Sequence, residues 1–228
     1  LTRLCPPIES DKTLDLAGYT LKKTGNSIDS QDHLLSVQYS KLTIEDSVGT
    51  GKMYFYAKDV AQNLFLAENR STIVINGGTF CYTGTNAMYC EMIKLSASDL
   101  VINDGYFDAQ IGTPIKLDNG FAGGGHGTLN STALINGGTI VTTSSIALSS
   151  IDGCDYYASL VMTGGTITNK SKGRVTDKTG TIISDPYFVR VTSDEALQKK
   201  YYNITLLGGT MPLSPNDIEV YYPTEKAV

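Results

Sequence analysis

Ten side chains in the second half of the chain are of the types that bind sugars. Carboxylates and amides form hydrogen bonds with hydroxyl groups, and tyrosine rings cover the apolar face of a pyranose. An arginine can additionally pair with a uronate carboxylate. The candidate residues are Asp118, Asn119, His126, Asp152, Asp155, Tyr156, Tyr157, Arg190, Tyr201 and Tyr202. They predict a polysaccharide or glycan site, and the alternative is a set of ordinary solvated loops.

A repeated pattern along the chain indicates what positions these residues. Each copy has two aliphatic residues one position apart, then a polar residue and a pair of turn formers. The aliphatic pairs are Leu14/Leu16, Leu42/Ile44, Ile73/Ile75, Leu100/Ile102, Ala133/Ile135, Leu160/Met162 and Ile204/Leu206. A spacing of two favours a strand over a helix, and Asn-Gly-Gly suits a sharp corner. Repetition every 27 to 44 residues predicts a solenoid.

A second aliphatic ladder lies between these copies. Its members are Leu35-Ser36-Val37, Leu64-Phe65-Leu66, Ile93-Lys94-Leu95, Ile115-Lys116-Leu117, Ile146-Ala147-Leu148 and Val189-Arg190-Val191. With the Thr-Phe or Thr-Ile segment that follows the glycines, each turn carries several short strands. The sequence therefore predicts an all-β fold, a single-stranded parallel β-helix of about seven coils.

One domain over residues 1–228 accounts for the whole chain. Residues 1–12 are predicted to cap the first coil, residues 13–212 to form the coils, and residues 213–228 to be a C-terminal segment. The segment Ile218-Glu219-Val220-Tyr221-Tyr222 is a candidate last strand. A serine start, early acids and late lysines predict at most one short helix, near residues 193–200.

The coils lengthen at one place, and that is where most of the ten candidates lie. From the second ladder to the next copy of the first, the gap is 5 to 7 residues in the early coils. After Leu117, Leu148 and Val191 it grows to between 12 and 16 residues. Because the coils stack, these three loops are expected to emerge side by side, and insertions on one face often form a binding face. Arg190, between two valines, is expected to point outward beside them.

The Ile-Asn-Gly-Gly-Thr-Phe/Ile rows, with Leu-Asp-Leu-Ala-Gly-Tyr-Thr-Leu before them, resemble the pectate-lyase-like right-handed parallel β-helices. They are most similar to the bacterial cell-surface branch that binds carbohydrate. The resemblance covers roughly residues 13 to 212. It implies a right-handed coil and a secreted or cell-surface setting, but lyases, hydrolases, adhesins and phage tail proteins share this scaffold, so fold alone does not select an activity.

The resemblance to the pectate-lyase-like β-helices also raises the question of a metal site. Asp118, Asp152 and Asp155 could supply oxygen ligands to Ca²⁺. A pectate-lyase mechanism would also need an arginine as base near the cleaved bond. None lies in those loops, and Arg190 is the nearest by ladder position. Calcium is the single cofactor that the sequence suggests.

Two rivals to a non-catalytic glycan binder stay open. The first is a polysaccharide lyase or glycoside hydrolase. Gly125-His126-Gly127 resembles an element of polygalacturonases, but the paired aspartates and the Arg-Ile-Lys of that family are missing. The second rival is a structural or adhesive module of a surface stalk or phage tail, which tandem copies in the parent gene would favour.

Composition narrows the function classes further. The net charge is −5 and no basic stripe is visible, which argues against nucleic-acid binding. No apolar run approaches the roughly 18 residues of a membrane span. The chain begins without Met, so we expect a mature or excised segment of an extracellular or cell-surface protein whose targeting signals lie elsewhere; its oligomeric state stays open.

Four cysteines add a question about cross-links. Cys5, Cys81, Cys90 and Cys154 allow three pairings if all are bridged. Cys81 and Cys90 could close the loop between them, and the alternative is that they stay thiols in the core. Their spacing does not suggest zinc.

Overall fold

The computed structural model describes residues 6–25, 32–59, 61–85, 90–119, 130–150, 157–176, 182–184, 186–191, 202–211 and 218–220. These residues form strands, turns and bends, and none of them is helical. Successive strands pass through three parallel sheets in turn, which confirms the predicted parallel β-helix. The helix predicted near residues 193–200 lies outside the described residues.

Sheet I carries the first aliphatic ladder and has seven strands in parallel. They are β1 (Lys12–Asp15), β4 (Lys41–Glu45), β7 (Thr72–Ile75), β10 (Asp99–Ile102), β13 (Ser131–Ile135), β16 (Ala158–Met162) and β21 (Tyr202–Leu206). Ile44, Ile75, Ile102 and Ile135 pair directly across β4, β7, β10 and β13 and are at most 1% exposed. The predicted column of stacked aliphatic side chains is confirmed.

Sheets II and III complete each coil. Sheet II contains β2 (Thr20–Thr24), β5 (Lys52–Ala57), β8 (Thr79–Gly84), β11 (Tyr106–Ala109), β14 (Thr139–Thr142) and β17 (Thr166–Asn169). Sheet III contains β3 (His33–Gln38), β6 (Asn63–Glu68), β9 (Glu91–Ser96), β12 (Thr113–Asn119), β15 (Ile146–Ser150), β20 (Val189–Val191) and β22 (Ile218–Val220). A short antiparallel pair, β18 (Val175–Thr176) and β19 (Ile182–Ser184), lies between β17 and β20.

The register predicted for the first coil was wrong by two residues. Leu14, rather than Leu16, stands beside Ile44, and Lys12 stands beside Leu42. Lys12 is exposed. An apolar residue is not required there because β1 is the edge strand of sheet I, with no further strand beyond it among the described residues.

The second ladder also needs one correction, in β6. Phe65 and Ala67 align with Ile93 and Leu95 and are fully buried, whereas Leu66 aligns with Lys94 in the outward row. The prediction had placed Leu64 and Leu66 inward. Four apolar residues in succession obscure the two-residue period, so the sequence pattern could not identify which side faces the core.

Aromatic rings fill part of the core between the sheets. Phe80 stacks on Phe107 with ring centroids 4.7 Å apart and meets Phe65 edge-on at 5.8 Å. All three side chains are at most 1% exposed. Tyr82 lies parallel to Phe55 at 6.0 Å and donates its hydroxyl hydrogen bond to the carbonyl of Gln62.

The corner between sheets I and II is held by a ladder of exposed polar side chains. Asn103 donates to Asn76 at 2.8 Å, Asn136 donates to Asn103 at 2.9 Å, and the Thr163 hydroxyl donates to Asn136 at 2.7 Å. In the corners that contain Gly-Gly, the second glycine has positive φ, for example +80° at Gly138. A residue with a side chain is strained in that conformation, so the glycine-rich corner predicted from the sequence is confirmed.

Both ends of sheet III carry short additions. Ile8 bridges Val37 in parallel, and β22 pairs with β20. The predicted last strand is therefore confirmed over Ile218–Val220.

Cys81 and Cys90 are free thiols, so the disulfide between them does not form; Cys5 and Cys154 lie outside the described residues. No helix among the described residues has the length and apolarity needed to cross a membrane.

Candidate functional site at the corner between sheets III and I

The three lengthened connections leave and re-enter the solenoid at one corner. The strands that precede them, β12, β15 and β20, are neighbours in sheet III, and those that follow, β13, β16 and β21, are neighbours in sheet I. In the early coils a short turn closes the same corner, with Tyr39, Arg70 and Ala97 at positive φ. The predicted residues His126, Asp152, Asp155, Tyr156 and Tyr201 lie in the long connections, outside the described residues.

Two of the predicted residues meet at the base of this corner. The Ser131 hydroxyl donates to the carbonyl of Asp118 at 2.5 Å, and its backbone N–H donates to the carbonyl of Tyr157 at 3.1 Å. The Tyr157 N–H in turn donates to Oδ1 of Asn130 at 2.7 Å. Asp118 and Tyr157 therefore lie on either side of one serine, although 39 positions separate them in the sequence. Tyr157 is 45% exposed.

Ser131 continues a buried row that the sequence analysis missed. The Ser71 N–H donates to the Ser98 hydroxyl at 3.2 Å, and the Ser98 N–H donates to the Ser131 hydroxyl at 3.3 Å. All three serines are at most 2% exposed. The sequence did contain a pattern that indicates this row, because each serine stands two residues before an aliphatic pair of the first ladder. This row of hydrogen bonds connects the coil that follows the first long connection to the preceding coils, whose corners are short turns.

A charged cluster, consisting of Glu91, Lys94, Lys116 and Asp118, lies on β9 and β12 of sheet III. Lys116 Nζ lies 3.5 Å from Glu91 Oε1 and 3.4 Å from Asp118 Oδ2. Lys94 pairs with Lys116 across β9 and β12. Asn63 donates its amide hydrogen to Glu91 Oε2 at 3.1 Å. Only Asp118 had been predicted to act here, although the aliphatic–Lys–aliphatic triplets indicated that both lysines face outward.

Burial and charge set the protonation of the charged cluster. Burial raises the pKa of Glu91, and the nearby Lys116 and Lys94 ammonium groups counteract it only in part. For Lys116, burial lowers the pKa, but the Asp118 and Glu91 carboxylates together more than compensate, so the net shift is upward. Lys116 therefore stays an ammonium at neutral pH. It is suited to holding a carboxylate and unsuited to acting as a base.

The two carboxyl groups of the charged cluster have a separation that is relevant to glycoside hydrolysis. Each has an oxygen within 3.5 Å of Lys116 Nζ, so those oxygens lie at most about 7 Å apart. Glycosidase carboxyl pairs are separated by roughly 5 to 9.5 Å. Here, however, the ammonium contacts both groups, and Glu91 is only 4% exposed. The arrangement is better suited to binding than to proton transfer at a glycosidic bond.

A pH-dependent stability follows from Glu91. Because its folded pKa is raised, the folded protein holds this proton to higher pH than the unfolded chain does. Above the ordinary glutamate value of about 4.3, the folded state therefore binds more protons and the free energy of unfolding falls with rising pH. We expect the stability of the wild type relative to Glu91→Gln to decrease as the pH rises above the ordinary glutamate value of about 4.3. Urea unfolding at each pH measures it.

The exposed Glu9 provides the matched control for this titration. Glu9→Gln makes the same substitution at an exposed position and is measured in parallel over the same pH range. A constant difference for Glu91→Gln would contradict the burial-induced shift.

The remaining predicted residues are divided between surface and interior. Arg190 aligns with Ala147 in the outward row of sheet III, as predicted, but it is only 8% exposed. It is therefore not the freely accessible cation that the sequence suggested. Tyr202 begins β21 beside Ala158 and is partly exposed. Asn119 ends β12 and pairs with Ser150 through the backbone.

The calcium prediction rests on Asp118, Asp152 and Asp155, of which only Asp118 falls in a described segment. Its carboxylate contacts the Lys116 ammonium. Across the segments given above, no three His, Cys, Asp or Glu side chains converge as a metal site would require. Calcium binding stays a prediction that depends on the long connections.

Comparison with known proteins adds no further assignment. No family model matches the chain, and neither the curated proteins nor the solved structures contain a match to it.

Proposed function

We propose that this chain is a non-catalytic extracellular or cell-surface β-helix that binds a polysaccharide or host glycan at the corner between sheets III and I. The observation that supports it is the Asp118–Ser131–Tyr157 arrangement. Asp118, whose carboxylate contacts Lys116, and the exposed Tyr157 are both held beside this serine through their backbone carbonyls. Such a site presents acceptors to sugar hydroxyls and a ring to the apolar sugar face.

The charged cluster supplies the proposed site with an ammonium group that could pair with an acidic sugar. Lys116 and Lys94 are paired residues on adjacent strands of sheet III, whose backbones lie about 4.8 Å apart. Lys94 is partly exposed, whereas Lys116 is engaged by two carboxylates. A uronate carboxylate would pair with Lys94, while Asp118 accepts hydrogen bonds from neighbouring hydroxyls. The resemblance to the pectate-lyase-like surface proteins agrees with this ligand class and with an extracellular setting.

The proposal is tested by binding to immobilised polygalacturonate and to a glycan array. We expect Tyr157→Ala and Asp118→Asn each to weaken binding by about tenfold, which corresponds to 1.4 kcal/mol and is typical of one stacking or charge-assisted contact. The asparagine keeps the shape of Asp118 and removes its charge. Urea unfolding establishes that both variants still fold.

Tyr19 supplies the matched control, because it is 78% exposed beside the edge strands of the first coil, at the other end of the solenoid. Tyr19→Ala is expected to bind as the wild type does. Absence of binding to every polysaccharide, or unchanged binding by Tyr157→Ala, would refute the proposal.

A hydrolase acting on acidic polysaccharide is the second candidate, favoured by the close carboxyl pair and the raised pKa of Glu91. Incubation with polygalacturonate, read by reducing sugar and by absorbance of unsaturated ends, distinguishes it from the binder. We expect neither signal to rise. Release of reducing ends that Glu91→Gln abolishes would favour the hydrolase, and unsaturated ends would indicate a lyase.

A further inference from the structure

Outside the corner, the outer face of sheet II carries a second set of aromatic side chains, which are partly or largely exposed. Strand alternation places Lys52, Tyr54 and Tyr56 of β5 outward, because Met53, Phe55 and Ala57 between them are fully buried. On β11, Tyr106 and Asp108 face outward in the same way. Tyr106 is 41% exposed. Neither this face nor its residues were part of the site predicted from the sequence.

Between these two strands, β8 presents only small outward side chains. Thr79, Cys81 and Thr83 alternate with the buried Phe80 and Tyr82. The register places Thr79 between Lys52 and Tyr106, and Cys81 between Tyr54 and Asp108. A trough therefore runs along β8, with larger side chains on both sides. We call it the sheet II trough, defined by Lys52, Tyr54, Thr79, Cys81, Tyr106 and Asp108.

The two tyrosines of the trough are placed diagonally. They are two strands apart, about 9.6 Å, and offset by two residues along the strand, about 7 Å, so their Cα atoms are about 12 Å apart. One ring on each side of a shallow channel allows contacts with two sugar units of one extended chain. The Lys22 ammonium, 5.3 Å from the centroid of the Tyr54 ring, holds that ring in place.

Polar groups complete a surface suited to hydroxyls. Thr79 contributes a hydroxyl to the floor, and Gln110 donates to Asp108 Oδ2 at 2.8 Å, which orients that carboxylate. Lys52 and Asp108 carry opposite charges on either side of the floor, and the Lys22 ammonium lies against the Tyr54 ring from the next strand. The six residues that define the trough therefore carry no net charge, and a ligand is selected there by ring stacking and hydroxyl contacts.

We infer that the sheet II trough binds a neutral polysaccharide chain, as a second saccharide site separate from the corner. The inference does not depend on the proposed function, because the two surfaces belong to different sheets and share no residue. Two such faces on one rod would let the chain hold an acidic and a neutral polysaccharide together.

Cys81 makes the inference directly testable, because its thiol lies in the floor and is partly accessible. Burial and the Asp108 charge raise its pKa, so alkylation by N-ethylmaleimide is slow enough to follow by peptide mass spectrometry. Alkylation of the Cys81 peptide is measured with and without millimolar cellohexaose, xylohexaose or mannohexaose, and with trigalacturonate as the acidic comparator. We expect at least one neutral hexasaccharide to slow alkylation severalfold.

Variants separate the two sites in this experiment. Protection of Cys81 should be lost in Tyr106→Ala and retained in Tyr157→Ala, with each variant compared with itself in the absence of sugar. Loss in Tyr106→Ala alone supports the inference even if the corner binds nothing. Protection by none of the neutral hexasaccharides, protection by trigalacturonate only, or undiminished protection in Tyr106→Ala would overturn it.

Discussion

Gly137→Ala is expected to lower the free energy of unfolding by about 3 kcal/mol, the upper range for overpacking. A Cβ atom at this position would lie 2.2 Å from the carbonyl oxygen of Asn103 in the neighbouring coil. The obstacle is backbone, which cannot rotate away as a side chain would. Adjacent strands of sheets I and II must therefore separate locally. Guanidinium unfolding, read as a lower midpoint at an unchanged slope, measures the effect.

The same pentapeptide elsewhere in the chain supplies the control. Ile75-Asn76-Gly77-Gly78-Thr79 repeats Ile135-Asn136-Gly137-Gly138-Thr139, yet the nearest atom to a Cβ on Gly77 is 3.9 Å away. Gly77→Ala should therefore change stability by no more than about 0.5 kcal/mol. Equal effects at the two glycines would contradict the close approach of the coils at Gly137.

Phe80→Ala is expected to destabilise the protein by about 3 to 5 kcal/mol. Phe80 is fully buried and contacts Phe107 face to face and Phe65 edge-on. The alanine variant lacks one ring of an aromatic column in which the adjacent rings belong to other strands. Because those strands are fixed by their stacking, they cannot move together to close the cavity. Chemical unfolding monitored by circular dichroism gives the magnitude.

Two comparisons make the expectation at Phe80 specific. Phe80→Leu keeps most of the apolar volume and is expected to be considerably less destabilising than alanine. Tyr106→Ala, on the exposed side of the adjacent strand β11, removes a ring of similar size and should change stability by no more than about 0.5 kcal/mol. A small effect of Phe80→Ala would indicate that the aromatic column does not stabilise the coils.

Both predictions concern the rigidity that the proposed site requires. Asp118 and Tyr157 are both held beside Ser131, through their backbone carbonyls, only while β12, β13 and β16 keep their stacking. A substitution that loosens the packing of the aromatic column without unfolding the protein should weaken glycan binding, although the substituted residue does not contact the glycan. Glycan binding and stability are therefore to be measured on the same preparations.

The repeat was sufficient to predict the fold and most of the register. The spacing of two between Ile73 and Ile75, repeated at Leu100 and Ile102, identifies inward positions because strand side chains alternate between faces. The pattern failed at the first coil, where Lys12 replaces an aliphatic residue at the end of the stack. It also failed at Leu64-Phe65-Leu66, where a continuous apolar run carries no period.

The candidate site was predictable only in part. The gap lengths located the corner, since insertions after Leu117 and Leu148 must emerge next to each other once the coils are stacked. The charged cluster was missed because Glu91 and Lys116 contact one another across β9 and β12, 25 positions apart in the sequence. Nothing in the local sequence of either residue indicates that partner.

Local side-chain chemistry was enough to specify strands, corners and a dry core, because these depend on alternation and on glycine at positive φ. Contacts between coils depend on which residue of the adjacent coil lies beside a given residue. That register is determined only when the coils stack. Gly77 and Gly137 have identical neighbours in sequence and different neighbours in space. Arg190 is a second example. Strand alternation predicted that its side chain points outward, but its burial depends on the surrounding structure and could not be predicted from the local sequence.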